Sequence, residues 1–223
     1  MLLLQGLAAC SPENAAQNVV NETSASATAT AGTPVADGKL VVAFGDSLYA
    51  GYGVLPQQSF PARLEQALKD RGIAATVRNA GVSGDTTAAG RRRLAFSLDG
   101  LPRKPDLVMV NLGGNDMLRG LDPAETRANL TAICEELKRR GIPIFLTGMI
   151  AAPNMGPDYT RAFNAIYGDL AKRYDAGLYP FFLDGVVRNQ QLMLPDRIHP
   201  NPQGIDAIVA KVAPQVAATL KPR

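Results

Sequence analysis

The chain has 223 residues, with 23 Lys and Arg against 20 Asp and Glu, one histidine and two cysteines. That length suits one domain with a substantial core, while a single histidine and two cysteines exclude a zinc-finger array, an all-histidine metal cage and a disulfide-stapled scaffold. A net charge of +3 without a basic stripe among aromatics gives no support to nucleic-acid binding, and no apolar run reaches the about 20 residues of a membrane-spanning helix.

Met1 to Ala9 is a short apolar run that meets Cys10. Leu7-Ala8-Ala9-Cys10 looks like a bacterial lipobox, in which the cysteine receives lipid and becomes the new N-terminus. The alternative is an ordinary secretion signal with an incidental cysteine, and the run lacks the usual positive segment in front of it. Ser11 to Gly38 is rich in Ala, Thr, Ser, Asn and Pro and has no Phe, Leu or Ile. Such a stretch cannot bury enough apolar surface to offset its ordering entropy, so it reads as a flexible linker. Residues 1–38 are therefore a signal, lipobox and linker segment, and residues 39–223 one folded domain. Lipidation of Cys10 would hold that domain at a membrane surface of the cell envelope, on the periplasmic side.

From Lys39 onward strands and helices alternate. Leu40–Phe44 is an apolar run closed by Gly45, read as a buried strand. A helix follows over about Pro61–Asp70, with Ser59 as its cap and Gly72 past its end. Ala75–Asn79 is a second strand, Thr86–Leu98 a helix and Asp106–Val110 a third strand. Within that helix, Arg91-Arg92-Arg93 reads as a solvated face. Asp122-Pro123-Ala124-Glu125 opens the next helix with an N-cap, a proline at the first position and an acid at the third, and Gly141 ends it. Cys134 lies on its apolar side and reads as a small core residue. Ile144–Thr147 is the fourth strand, Tyr159–Tyr174 a helix, Leu178–Leu183 the fifth strand and Gln203–Leu220 the last helix, opened by Asn201 and Pro202. Five buried strands alternating with five helices predict an α/β fold of three layers, flavodoxin-like, with a parallel sheet in the order 2-1-3-4-5 and a ligand site at the carboxyl ends of its strands.

Polar residues gather at those ends. Gly45-Asp46-Ser47-Leu48 follows the first strand, Gly81-Val82-Ser83-Gly84-Asp85-Thr86 the second and Gly113-Gly114-Asn115-Asp116 the third, and Asp196-Arg197-Ile198-His199 precedes the last helix. Singly, each is a turn or a helix cap. Together they supply a reaction. Serine is a weak nucleophile until a base takes its proton, and His199 is the only imidazole available. Asp196, three residues earlier, can accept from its Nδ1–H and fix the tautomer. An attacked carbonyl develops charge on oxygen, for which the backbone N–H groups of Ser47 and Gly84 and the side-chain amide of Asn115 are candidate donors.

These blocks resemble the SGNH hydrolases, also called the GDSL family, whose name letters fall here on Ser47, Gly84, Asn115 and His199. The likeness runs from about Leu40 to Leu220. It is greatest to the small bacterial thioesterase/protease/lysophospholipase and arylesterase branch, through Met117-Leu118-Arg119-Gly120, Ala162 to Tyr167, Pro180-Phe181-Phe182 and Ile198-His199-Pro200-Asn201. The resemblance implies a flavodoxin-like fold, no metal and no cofactor, a Ser47–Asp196–His199 triad and an oxyanion hole of Ser47, Gly84 and Asn115. Asp46 and Asp85 orient their loops in this reading. Ser47 does not sit in a G-x-S-x-G elbow, so the larger α/β-hydrolase fold is not expected.

The branch cleaves acyl esters and thioesters, lysophospholipids included, through an acyl-serine. Leu118, Met149, Ile150 and Met155 are the expected acyl-pocket residues, with core packing the alternative for Met149 and Ile150. Two rival functions stand beside the esterase of short to medium acyl chains: a deacetylase of an envelope polysaccharide and a non-catalytic binding module anchored at the envelope. A monomer or weak oligomer is expected.

Overall fold

Each apolar run read from the sequence forms a strand in this computed structural model, which describes residues 38–221. The lipobox, Cys10 and the linker up to Ala36-Asp37 lie outside the described residues. The strands are β1 (Lys39–Gly45), β2 (Ala75–Gly81), β3 (Leu107–Asn111), β4 (Ile144–Thr147) and β5 (Gly177–Tyr179). They pair in parallel in the order β2-β1-β3-β4-β5. In β1 every residue after Lys39 is buried. This strand lies between two others and under helices on both faces, so it has no solvent side on which to place polar residues.

The long helices are α2 (Phe60–Lys69), α3 (Thr87–Asp99), α5 (Pro123–Arg139), α6 (Pro157–Tyr174) and α7 (Pro202–Leu220). Two short ones, α1 (Ser47–Ala50) and α4 (Gly114–Leu118), follow β1 and β3 directly. Helix α2 packs beside α7 on one side of the sheet, and α5 packs between α3 and α6 on the other. Tyr49, Phe60 and Phe182 form an aromatic cluster between α1, α2 and the segment after β5, with Tyr49 stacked on Phe60 at 4.9 Å. Cys134 is buried in the core, and burial pushes its thiol up to about 12.

Several boundaries differ from the sequence reading for definite reasons. Strand β5 ends at Tyr179 instead of Leu183, because Pro180 has no N–H for the ladder. Phe182 and Leu183 are nevertheless buried, so their apolarity reports core contact and not strand. Ser59 stands at the N-cap of α2, but its hydroxyl donates to the carbonyl of Pro56 at 2.8 Å instead of capping. Arg93 is not part of a solvated face: its Nε pairs with Asp85 at 2.6 Å, its Nη2 donates to the Gly45 carbonyl at 2.8 Å, and its guanidinium lies over the Phe44 ring.

Candidate active site

The carboxyl end of β1 turns at once into α1, with Asp46 as N-cap. Its Oδ1 accepts from the Leu48 N–H at 3.0 Å, which places Ser47 at the first helical position. From the far end of the chain, the loop between β5 and α7 brings His199 to the same point. Ser47 Oγ lies 2.8 Å from His199 Nε2, and Nδ1 lies 2.7 Å from Asp196 Oδ2. A carboxylate can only accept, so Nδ1 carries the proton and Nε2 accepts from the serine hydroxyl.

Asp196 is folded over its own loop. Its Oδ1 accepts from the backbone N–H groups of Ile198 at 2.9 Å and His199 at 3.0 Å. The Leu194 N–H closes the loop by donating to the His199 carbonyl at 2.8 Å. Burial pushes the Asp196 carboxyl upward, but the His199 N–H, the imidazole and the Ile198 N–H outweigh it and hold the group below its ordinary value. The carboxylate therefore stays charged beside the imidazole.

The candidate oxyanion donors lie in the segments that follow β1, β2 and β3. Among the described residues, the backbone N–H groups of Ser47 and Gly84 donate to no acceptor. Asn115 is carried by α4, whose N-cap Gly113 has φ 109°; a Cβ there would lie 2.3 Å from the Tyr167 hydroxyl oxygen, so only glycine fits. The Asn115 amide nitrogen donates to the Asp85 carbonyl at 3.0 Å and, more weakly, to Asp46 Oδ2 at 3.4 Å.

The supporting residues were the part least visible in the sequence. Asp85 and Arg93 tie the Gly84 loop to the end of β1. Buried Asp116 accepts from the Thr87 N–H at 2.8 Å, from the Thr87 hydroxyl and from Thr126 Oγ1 at 3.3 Å, fixing α4 against α3 and α5. Arg119 Nη2 donates to the Gly84 carbonyl at 2.9 Å. None of these pairs has a sequence spacing that announces it. Asp46 is almost wholly buried, and its carboxyl is raised from 3.8 to about 7, chiefly by burial and further by Asp85 and Asp116.

Of the expected acyl-pocket residues, Leu118 and Ile150 are exposed and Met155 is half-buried in a turn of 3₁₀ helix over Pro153–Met155. Met149 is buried and belongs to the core, the alternative that the sequence left open. The Ala152 N–H donates to the Met117 sulfur at 3.1 Å, which joins the two loops that carry these residues. Tyr52, Leu55, Val82 and Ile198 are also exposed and were missed. Among the described residues, every exposed large apolar side chain except Phe96 lies in a segment that follows the carboxyl end of a strand. No three His, Cys, Asp or Glu side chains come together as a metal site among the described residues.

A hydroxyl, an imidazole and a carboxylate in series, beside free N–H donors, can activate a nucleophile and receive an oxyanion. Comparisons with known proteins agree in kind. The chain is 38% identical over 190 residues to the esterase TesA of Pseudomonas aeruginosa, covering 85% of this chain and 92% of that protein. It is 40% identical over 157 residues to thioesterase 1/protease 1/lysophospholipase L1 of Escherichia coli strain K12, covering 70% and 73% of the two chains. Among solved structures it matches AlinE4, an SGNH-hydrolase family esterase, with 52% identity and a TM-score of 0.71, covering 83% of this chain and 98% of that one. Residues 43–207 match the GDSL-like lipase/acylhydrolase family model, and the chain belongs to that family.

Proposed function

We propose that the protein is a serine hydrolase that cleaves carboxylic esters and thioesters through an acyl-Ser47 intermediate. The observation that carries this reading is the unbroken series from Ser47 Oγ through the imidazole to Asp196, with contacts of 2.8 and 2.7 Å. Ser47 attacks the acyl carbon while Nε2 takes its proton. The charge on oxygen is received by the N–H groups of Ser47 and Gly84 and by the Asn115 amide, whose long contact to Asp46 is the one that yields. The imidazolium, paired with Asp196, then protonates the departing alcohol or thiol. Water repeats the sequence in reverse, with His199 again as base.

The exposed apolar side chains of Leu55, Val82, Leu118, Ile150 and Ile198, on the segments that follow the strands, favour an aliphatic acyl chain of short to medium length over a sugar. The names of the relatives (esterase, arylesterase, thioesterase and lysophospholipase) point the same way. We further place the protein in the cell envelope, anchored through lipidated Cys10.

A series of p-nitrophenyl esters from acetate to palmitate, run on wild type and Ser47→Ala, tests the reading. Turnover beyond acetate that falls by about 10⁴-fold or more in Ser47→Ala is expected. Activity confined to acetate would move the assignment to a deacetylase, and full activity in Ser47→Ala would overturn the mechanism.

A further inference from the structure

The imidazole of His199 has both nitrogens occupied, Nδ1 by Asp196 and Nε2 by Ser47, but a ring held at two edge atoms is still open on its faces. One face is covered. The Tyr52 ring lies over it, with centroids 4.4 Å apart and planes inclined by 32°.

Tyr52 is held there by the nucleophile's own turn. Its N–H and that of Gly51 both donate to the Ser47 carbonyl at 3.2 Å. The next residue, Gly53, presses on the histidine loop: a Cβ on it would lie 2.6 Å from Leu194 Cδ1, and Leu194 is the residue whose N–H closes that loop on the His199 carbonyl. The segment bearing Tyr52 is therefore clasped to both Ser47 and His199. Yet Tyr52 is 53% exposed, and among the described residues its hydroxyl has no hydrogen-bond partner. Neither burial nor the hydroxyl accounts for an aromatic residue at this place; the ring face does.

We propose that Tyr52 is a positioning residue for His199, holding the imidazole plane in which Nε2 addresses Ser47 and stabilising the imidazolium with its ring face. This rests on the serine-hydrolase reading above, in which that imidazolium forms in each half-reaction. An aromatic ring within about 6 Å of a cation attracts it through its quadrupole, and water is kept off one face of the base. The other titratable and charged groups on these segments are Asp196 on Nδ1, Arg197 beside it and the buried Asp46 before Ser47, whose raised carboxyl titrates in the same range; all three are shared by wild type and variants, so a difference between their profiles reports Tyr52.

The test compares Tyr52→Phe and Tyr52→Leu in the full chain, with p-nitrophenyl butyrate as substrate. The phenylalanine variant keeps the ring, and the leucine variant keeps only bulk. Tyr52→Phe should retain wild-type kcat. Tyr52→Leu should lose about three- to tenfold in kcat with KM and melting temperature unchanged, and its acidic limb of kcat/KM should move to lower pH by about half a unit, because the cationic form has lost support. His199 is the only histidine in the chain, so its ring-proton NMR signals need no assignment and report the same displacement independently of turnover. A leucine variant equal to wild type in kcat and titration would overturn the proposal while leaving the hydrolase reading intact. So would a phenylalanine variant as impaired as leucine, or a loss confined to KM, which would make Tyr52 a substrate contact. Loss of all activity in Ser47→Ala is the control that belongs to the function itself.

Discussion

Asn115 can serve an oxyanion only by giving up one of two existing contacts, to the Asp85 carbonyl or to Asp46. Asn115→Ala should therefore lower kcat by about 10²–10³ with little change in KM, since the amide acts on charge that develops only in the transition state. Asp46 makes a different prediction. Its carboxyl, raised from 3.8 to about 7, keeps its proton in the folded state over a range where the unfolded chain has released it. The folded state then binds the extra proton, so Asp46 makes stability fall as pH rises from about 4 to 7, by on the order of 3 kcal/mol. Asp46→Asn keeps a side-chain oxygen to cap Leu48, and thermal melts across that range should show the fall flattened; an unchanged pH dependence would refute the assignment. The meeting of Ser47, Asp196 and His199 was legible because chemistry restricts which residue types can form such a series and the chain offers one histidine. Asp46's burial and Arg93's inward turn were not, since both depend on what packs against them.

Two elements close to the site show where periodicity fails. Helices α1 and α4 span four and five residues, less than two turns, so no apolar stripe can mark them. Their anchors are single side chains, Asp46 for α1 and Asp116 for α4. By contrast α5 was legible at its start, because Asp122 caps the Ala124 N–H at 2.8 Å and Pro123 follows. Across the sheet, Thr147 at the end of β4 joins β3 to α1: its hydroxyl oxygen contacts the Tyr49 hydroxyl at 2.9 Å and accepts from the Asn111 amide at 2.8 Å, all buried. Thr147→Val keeps the shape and removes the oxygen. It should cost about 1–3 kcal/mol in urea unfolding by leaving the Tyr49 hydroxyl unpaired, with activity at saturating ester retained below the unfolding transition.

At the scale of the whole molecule, strand order and layering followed from the alternation of runs, because a right-handed crossover leaves few ways to cover a parallel sheet. The proposed anchor has a direct test: Cys10→Ala should move the protein from the membrane to the soluble fraction, and unchanged membrane association would sink the anchor. Removal of residues 1–37 should leave melting temperature and kcat as in the full chain, since every contact described for the site lies downstream of them. Strand β1 has a further consequence. It enters the fold at Lys39 and delivers Ser47 just beyond its other end, and a parallel strand of seven residues is about 20 Å long. Gly38 and the candidate site thus lie at opposite ends of this strand. A bead, sensor chip or fusion partner joined through a new N-terminus at Gly38 would hold the folded domain from the start of β1, with the Ser47 end of the strand turned outward to the medium.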